Sequence, residues 1–135
     1  MKILFVDDNL HAMKIHVLQL RTVAEVTQTD SVDRALELFR TDPDQWSGVV
    51  LDLMMPTGSL VPSGTAVQTV GYHLLLKLRE VRPNVPAIIL TNVSNHPVLE
   101  SLGRMQNVKI LAKKDNYANA VAALAEQFFK AESPP

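Results

Sequence analysis

Five residues have types and positions that could work together as one chemical apparatus: Asp7, Asp8, Asp52, Thr91 and Lys113. Each falls where a short apolar run gives out: the aspartates after Ile3–Val6 and within Val49–Leu53, Thr91 after Ala87–Leu90, Lys113 after Val108–Ala112. Three carboxylates in a small space repel one another, so keeping them ionised at neutral pH calls for a cation. Mg²⁺ suits them, since it takes oxygen ligands, keeps several waters and commonly binds through one or two carboxylates plus phosphate oxygens. Zinc would want His or Cys neighbours, and His11, His16, His73 and His96 lack ligand spacing and read as surface residues. With a lysine and a hydroxyl added, the set fits phosphoryl transfer, in which a protein mainly positions groups and neutralises charge. Asp52 is then the nucleophile, because a carboxylate can form an acyl phosphate. Mg²⁺ and Lys113 would neutralise phosphoryl oxygens and the Thr91 hydroxyl would bond another, with Asp8 ligating the metal directly and Asp7 mostly through water.

Such a set needs a scaffold that brings strand ends to one rim. The four apolar runs are strand-length. A weaker strand is expected over Val23–Thr27. Leu10, Met13, Val17 and Leu20 recur at three- and four-residue steps and predict a first helix over Leu10–Leu20. Ser31 is a candidate N-cap for a second helix carrying Val32, Ala35, Leu36 and Phe39, closed by Pro43. A third is predicted from Tyr72 to Val81, ending before Pro83, and a fourth from Pro97 to about Met105. The last should begin after Asp115 as its cap, docking Tyr117, Val121, Leu124 and Phe128 on the sheet. Trp46 is expected to plug an edge of the core. Five alternations of strand and helix predict a parallel α/β sheet covered on both faces, with right-handed crossovers. In such sheets ligands gather outside the carboxyl ends of the strands, where the strand order reverses. The fourteen residues 57–70, rich in Gly, Thr, Ser and Val and without a charge, form an unusually long loop beside that rim. They read as a mobile surface excursion or, alternatively, as a lid or partner-docking element.

Composition narrows the classes. The chain has 135 residues, and 13 Lys plus Arg against 14 Asp plus Glu give a net charge of −1, which offers no basic footprint for nucleic acid. Absence of cysteine excludes disulfides, thiolate nucleophiles and zinc-thiolate sites. The apolar start is too short for a signal-peptide core, and no run is long enough to span a bilayer. A single domain over residues 1–130, a frayed tail over 131–135 and a cytoplasmic location are the expectations.

On these residues the chain resembles the receiver domains of two-component response regulators. The segments carrying the resemblance are Ile3-Leu4-Phe5-Val6-Asp7-Asp8-Asn9, Val50-Leu51-Asp52-Leu53-Met54-Met55-Pro56, Leu90-Thr91 and Leu111-Ala112-Lys113. The spacings also agree, with 44 positions from Asp8 to Asp52 and 22 from Thr91 to Lys113. The resemblance implies a flavodoxin-like sheet of order 2-1-3-4-5, Asp52 as phosphoacceptor, and the backbone carbonyl of Met54 as a further Mg²⁺ ligand. It further implies a histidine kinase or histidine phosphotransfer protein as donor, and a downstream effector met through the fourth helix, fifth strand and fifth helix. A phosphorylation-dependent homodimer is the oligomeric form it allows. The domain would assist its own phosphorylation and dephosphorylation without being an enzyme.

The chain departs from the pattern in four places. Gly71 follows Pro56 after fourteen residues, an insertion of eleven; Lys114 replaces the proline after the lysine; Ile110 stands where an aromatic is common; and Asn92 follows Thr91 where a small residue is typical. Lys114 could itself be the site lysine, although the strand frame favours Lys113. These departures motivate an alternative, a degenerate receiver that serves as an unphosphorylated docking module. A third reading, a Mg²⁺-dependent aspartyl-phosphate hydrolase, lacks an Asp-x-Asp after the first strand. A dinucleotide-binding fold is disfavoured because Asp-Asp, not a glycine-rich turn, follows that strand.

Overall fold

A computed structural model describes residues 1–132. Five strands, β1 (Lys2–Val6), β2 (Glu25–Thr29), β3 (Gly48–Leu51), β4 (Ala87–Thr91) and β5 (Val108–Ala112), form one parallel sheet of order β2-β1-β3-β4-β5. Five helices connect them: α1 (Lys14–Leu20), α2 (Val32–Thr41), α3 (Val70–Val81), α4 (Val98–Gly103) and α5 (Ala118–Ala131). The α/β class and the predicted strand order both hold.

The two-residue alternation of a strand sorts the core into two clusters, one on each face of the sheet. Leu4, Val6, Val49, Leu51, Ala87 and Ile89 join side chains from α2, α3 and α4. Ile3, Phe5, Val50, Ile88 and Leu90 join those from α1 and α5. Because β1, β3 and β4 are covered on both faces, they read as unbroken apolar runs. Trp46 is buried in the first cluster, as expected. Phe129 lies so close to β3 that a Cβ on Gly48 would fall 2.4 Å from its ring; glycine there lets the helix seat its phenyl group. Full burial of such a side chain contributes about 2–3 kcal/mol.

Several boundaries differ from the sequence reading, each for a local reason. α1 starts at Lys14, not Leu10, because the preceding residues are spent on a turn. Asp7 Oδ1 accepts the Asn9 N–H at 2.9 Å, while Asn9 accepts the Ala12 N–H on its side chain and the Met13 N–H on its carbonyl. β2 lies two residues later than predicted, since Val23 and Ala24 still donate to the Leu20 carbonyl at the end of α1. Ser31 does cap α2, accepting the Arg34 N–H at 3.2 Å. Asp115 is not the cap of α5; it ends a 3-10 turn over Lys113–Asp115, and Tyr117 occupies the cap position without a side-chain bond. Tyr117 is 83% exposed and does not dock on the sheet; Val121 and Phe128 are buried as predicted, Leu124 packs half-buried beside them, and Ala122, Ala125 and Phe129 complete the face. α5 continues through Ala131, the first residue of the expected frayed tail, whose residues 133–135 lie outside the described residues.

The insertion is fastened rather than loose along its first half. The Asp33 carboxylate, in the first turn of α2, accepts the N–H groups of Ser59 and Leu60 and the Ser59 hydroxyl at 2.8–3.1 Å. Those bonds hold its carboxyl below the usual carboxylate range. Gly58 has φ +67°, and a Cβ there would meet Asp33 Oδ1 at 2.8 Å, so the turn suits glycine. Val61 is buried in the first cluster. A 3-10 turn over Val67–Thr69 then leads into α3, two residues before the predicted start.

Candidate functional site

The parallel register ends β1, β3, β4 and β5 at one rim, and the side chains singled out by the sequence come from those ends. Asp7 and Asp8 follow β1; Asp52 follows β3, extending its ladder by donating its N–H to the Val6 carbonyl at 3.0 Å. Asp7, Asp8 and Asp52 each offer a carboxylate oxygen such that the three oxygens lie within 4.8 Å of one another. Asp7 and Asp52 are 2% and 5% exposed, whereas Asp8 faces solvent.

Lys113 is what makes two buried carboxylates tolerable. Its Nζ lies 2.8 Å from Asp7 Oδ2 and 2.9 Å from Asp52 Oδ2. The remaining oxygens of the two aspartates also have partners, since Oδ1 of Asp7 accepts from Asn9 and Oδ1 of Asp52 accepts the Leu53 N–H at 2.7 Å. Burial pushes the Asp7 carboxyl above its ordinary value, and the Asp52 charge adds to the rise; bonds from Lys113 and Asn9 offset only part of it. Burial alone would lower Lys113, but its hydrogen bonds to Asp7 and Asp52 outweigh that and hold it above the usual lysine value. Lys114 is exposed, so Lys113 and not its neighbour is the lysine of the cluster. No cis peptide bond occurs among the described residues, so the Lys113–Lys114 bond is trans.

A cavity of about 210 Å³ opens over this cluster, lined by Asp8, Asn9, Asp52, Met54, Asn92, Val93 and Lys113. Met54 thus reaches the site, with its side chain 44% exposed. Thr91 is buried at the end of β4, and its hydroxyl accepts the Val93 N–H at 3.1 Å, orienting the loop that carries Asn92 and Val93. None of residues 57–70 lines the cavity. Gly71, just beyond the insertion, is nonetheless tied to it: its N–H donates to the Leu53 carbonyl at 2.9 Å, and a Cβ would sit 2.0 Å from the Asp52 carbonyl oxygen. The glycine brings α3 against the backbone of the nucleophile candidate.

The donor set fits a hard divalent cation. Three carboxylates converge, Asp8 makes no ion pair among the described residues, and no imidazole or thiolate joins the group. Of the four histidines, His11 is exposed and the other three are half-buried. His16 is half-buried, with Nε2 3.3 Å from the Asn116 carbonyl, and His96 Nδ1 accepts the Val98 N–H. From the sequence, Asn92 reads as a departure that narrows the entrance to the site, whereas Asp33 carries no local signal, its partners lying 26 and 27 positions away.

No protein-family model and no curated protein matches the chain. Solved structures do. A response regulator receiver domain protein from Clostridium thermocellum superposes with TM-score 0.74 at 21% identity, over 97% of this chain and 95% of that one. The BeF3-activated DrrB receiver domain gives 0.68 at 25% identity, over 96% and 97%. The chemotaxis protein CheY4 of Vibrio cholerae gives 0.72 at 17%, over 94% and 97%. The fold of this chain is therefore the flavodoxin-like fold of receiver domains, and the resemblance read from its strand ends extends over nearly the entire chain.

Proposed function

We propose that this chain is a two-component receiver that accepts a phosphoryl group on Asp52 from a histidine kinase or histidine phosphotransfer protein, in the presence of Mg²⁺, and signals by protein contact. The observation that carries the reading is the bridge of Lys113 Nζ between Asp7 and Asp52, inside a triad of carboxylates at the carboxyl rim of a receiver-type sheet. In the reaction an Asp52 carboxylate oxygen attacks the phosphorus of a phosphohistidine. The O–P bond forms as the P–N bond breaks, and the electron pair returns to the imidazole nitrogen, which takes up a proton from solvent. Asp8, Asp7 and Asp52, with the Met54 carbonyl, are the groups that would hold Mg²⁺, which when bound neutralises charge on the phosphoryl oxygens. Lys113 would follow the phosphoryl group and give up its bond to Asp52, and the Thr91 hydroxyl would donate to another phosphoryl oxygen while still accepting from Val93. The domain so described is a phosphoacceptor that assists its own modification, and its expected location is the cytoplasm.

The test is incubation with acetyl phosphate and Mg²⁺, followed by intact-mass measurement and peptide mapping. A gain of one phosphoryl group on the peptide containing Asp52, lost in Asp52→Asn, is the expected result. A second reading, an unphosphorylated docking module, is favoured by Ile110, which is 38% exposed on β5 and supplies no ring to move with Thr91. No mass gain in wild-type protein would decide for it.

A further inference from the structure

Among the polar side chains that line the cavity over Asp52, two, Asp8 and Asn92, have no partner among the described residues. Lys113 is shared between Asp7 and Asp52, Asp52 accepts from Leu53 and Lys113, and Asn9 accepts from Ala12 through its side chain. Asp8 can only accept while ionised. Asn92 is exposed in the wall of the same cavity, and its carboxamide makes no hydrogen bond among the described residues. Its position is fixed from below, because Thr91 is buried and bonds the N–H of Val93, so the loop carrying Asn92 is held at both flanks. A phosphoryl group on Asp52 brings three anionic oxygens into a space of about 210 Å³ whose one cationic wall residue, among the described residues, is Lys113. A carboxamide supplies two N–H donors, and a donor aimed at an anion is worth more than one between neutral groups.

We propose that Asn92 is a phosphoryl-binding residue, its side-chain NH₂ donating to an oxygen of the phosphoryl group held by Asp52. This rests on the phosphoacceptor reading above and adds to it a contact from this chain's own side chain at the mouth of the cavity. Asn92 then acts as an attractive group for the anion and not as a plug that narrows the entrance, and the two roles give opposite outcomes when the side chain is cut back.

Fluoroberyllate, a phosphoryl mimic that coordinates a carboxylate oxygen, allows the test on the whole chain at saturating Mg²⁺. Titrations of wild type, Asn92→Ala and Asn92→Asp are read by NMR or isothermal titration calorimetry, with thermal melts showing that the exposed substitutions leave the fold intact. Loss of a hydrogen bond to a charged group should weaken fluoroberyllate binding by about tenfold or more in Asn92→Ala. Asn92→Asp, which keeps the shape but presents an anion, should weaken it further. Unchanged or tighter binding by Asn92→Ala, with wild type binding normally, overturns the Asn92 assignment alone and leaves Asp52 as acceptor. Failure of wild type itself to bind fluoroberyllate or to gain a phosphoryl group overturns both.

Discussion

Lys113 carries more of the site than any other single side chain, because it alone offsets two carboxylates that the fold has removed from water. A buried ion pair adds little net stability compared with apolar residues of the same volume, yet removing one partner leaves the other charge stranded. In Lys113→Ala two buried aspartates lose their cation together, which should cost about 3 kcal/mol in metal-free protein, seen as a lower urea midpoint. The alkaline behaviour follows from the same geometry. A lysine whose folded pKa is raised gives stability that is fully present below its unfolded value and is lost as pH rises through the folded one. Wild type should therefore lose stability at the alkaline end of a urea-midpoint profile, a drop that Lys113→Ala lacks. Asp7 has the opposite character for a carboxylate. Its raised folded pKa means that the folded chain holds its proton longer, so stability falls as pH climbs from the ordinary carboxylate range through that raised value. The metal-free site is thus under electrostatic load at neutral pH, the state in which a binding cation gains most.

At the scale of elements, the chain's readability tracked how local the deciding interaction is. Strands β1, β3 and β4 announce themselves as apolar runs, and Ser31 announces the start of α2 by a bond three residues ahead. The start of α1 did not show, because an Asp7–Asn9 turn and the Asn9 cap consume four residues whose apolar spacing still looks helical. Tyr117 was assigned inward by periodicity alone, whereas Phe128 and Phe129 at the other end of α5 decide how that helix seats. The insertion looked like a free excursion because nothing near residues 57–70 reveals Asp33 as its anchor. Gly71 joins these levels. Its missing Cβ permits α3 to rest on the Asp52 and Leu53 backbone, so Gly71→Ala must push a helix terminus away from the end of β3. Overpacking against main chain has no flexible side chain to absorb it and should destabilise by about 2–3 kcal/mol. Phosphoryl uptake from acetyl phosphate should slow as well, because the displaced backbone is the one that aims Asp52; time-resolved mass measurement alongside thermal melts would show both effects.

Over the whole molecule, the five residues legible as a chemical set come from strand ends separated by as many as 106 positions, and only a parallel sheet with its order reversing at β1 brings them to one rim. That is why the acidic cluster, and Asn92 at its entrance, could be inferred from sequence, while other parts of the surrounding wall, such as Val93, required coordinates. Because the acidic ligands come from segments after β1 and β3, holding a cation there links separate parts of the chain, and an unfolded chain cannot do so. Ligand that binds only the folded state stabilises by RT ln(1 + [L]/Kd), about 2.7 kcal/mol at a hundred times Kd. Mg²⁺ should therefore raise the melting temperature in a concentration-dependent way, and chelation should reverse the rise. Asp8→Asn separates the two electrostatic contributions, since Asp8 is exposed and free of ion pairs among the described residues. Without metal the variant should melt at or slightly above the wild-type temperature, because one of three crowded negative charges is gone. With Mg²⁺ it should gain little. A Mg²⁺-induced shift in Asp8→Asn equal to that of wild type, measured by differential scanning calorimetry, would place the cation somewhere other than this rim.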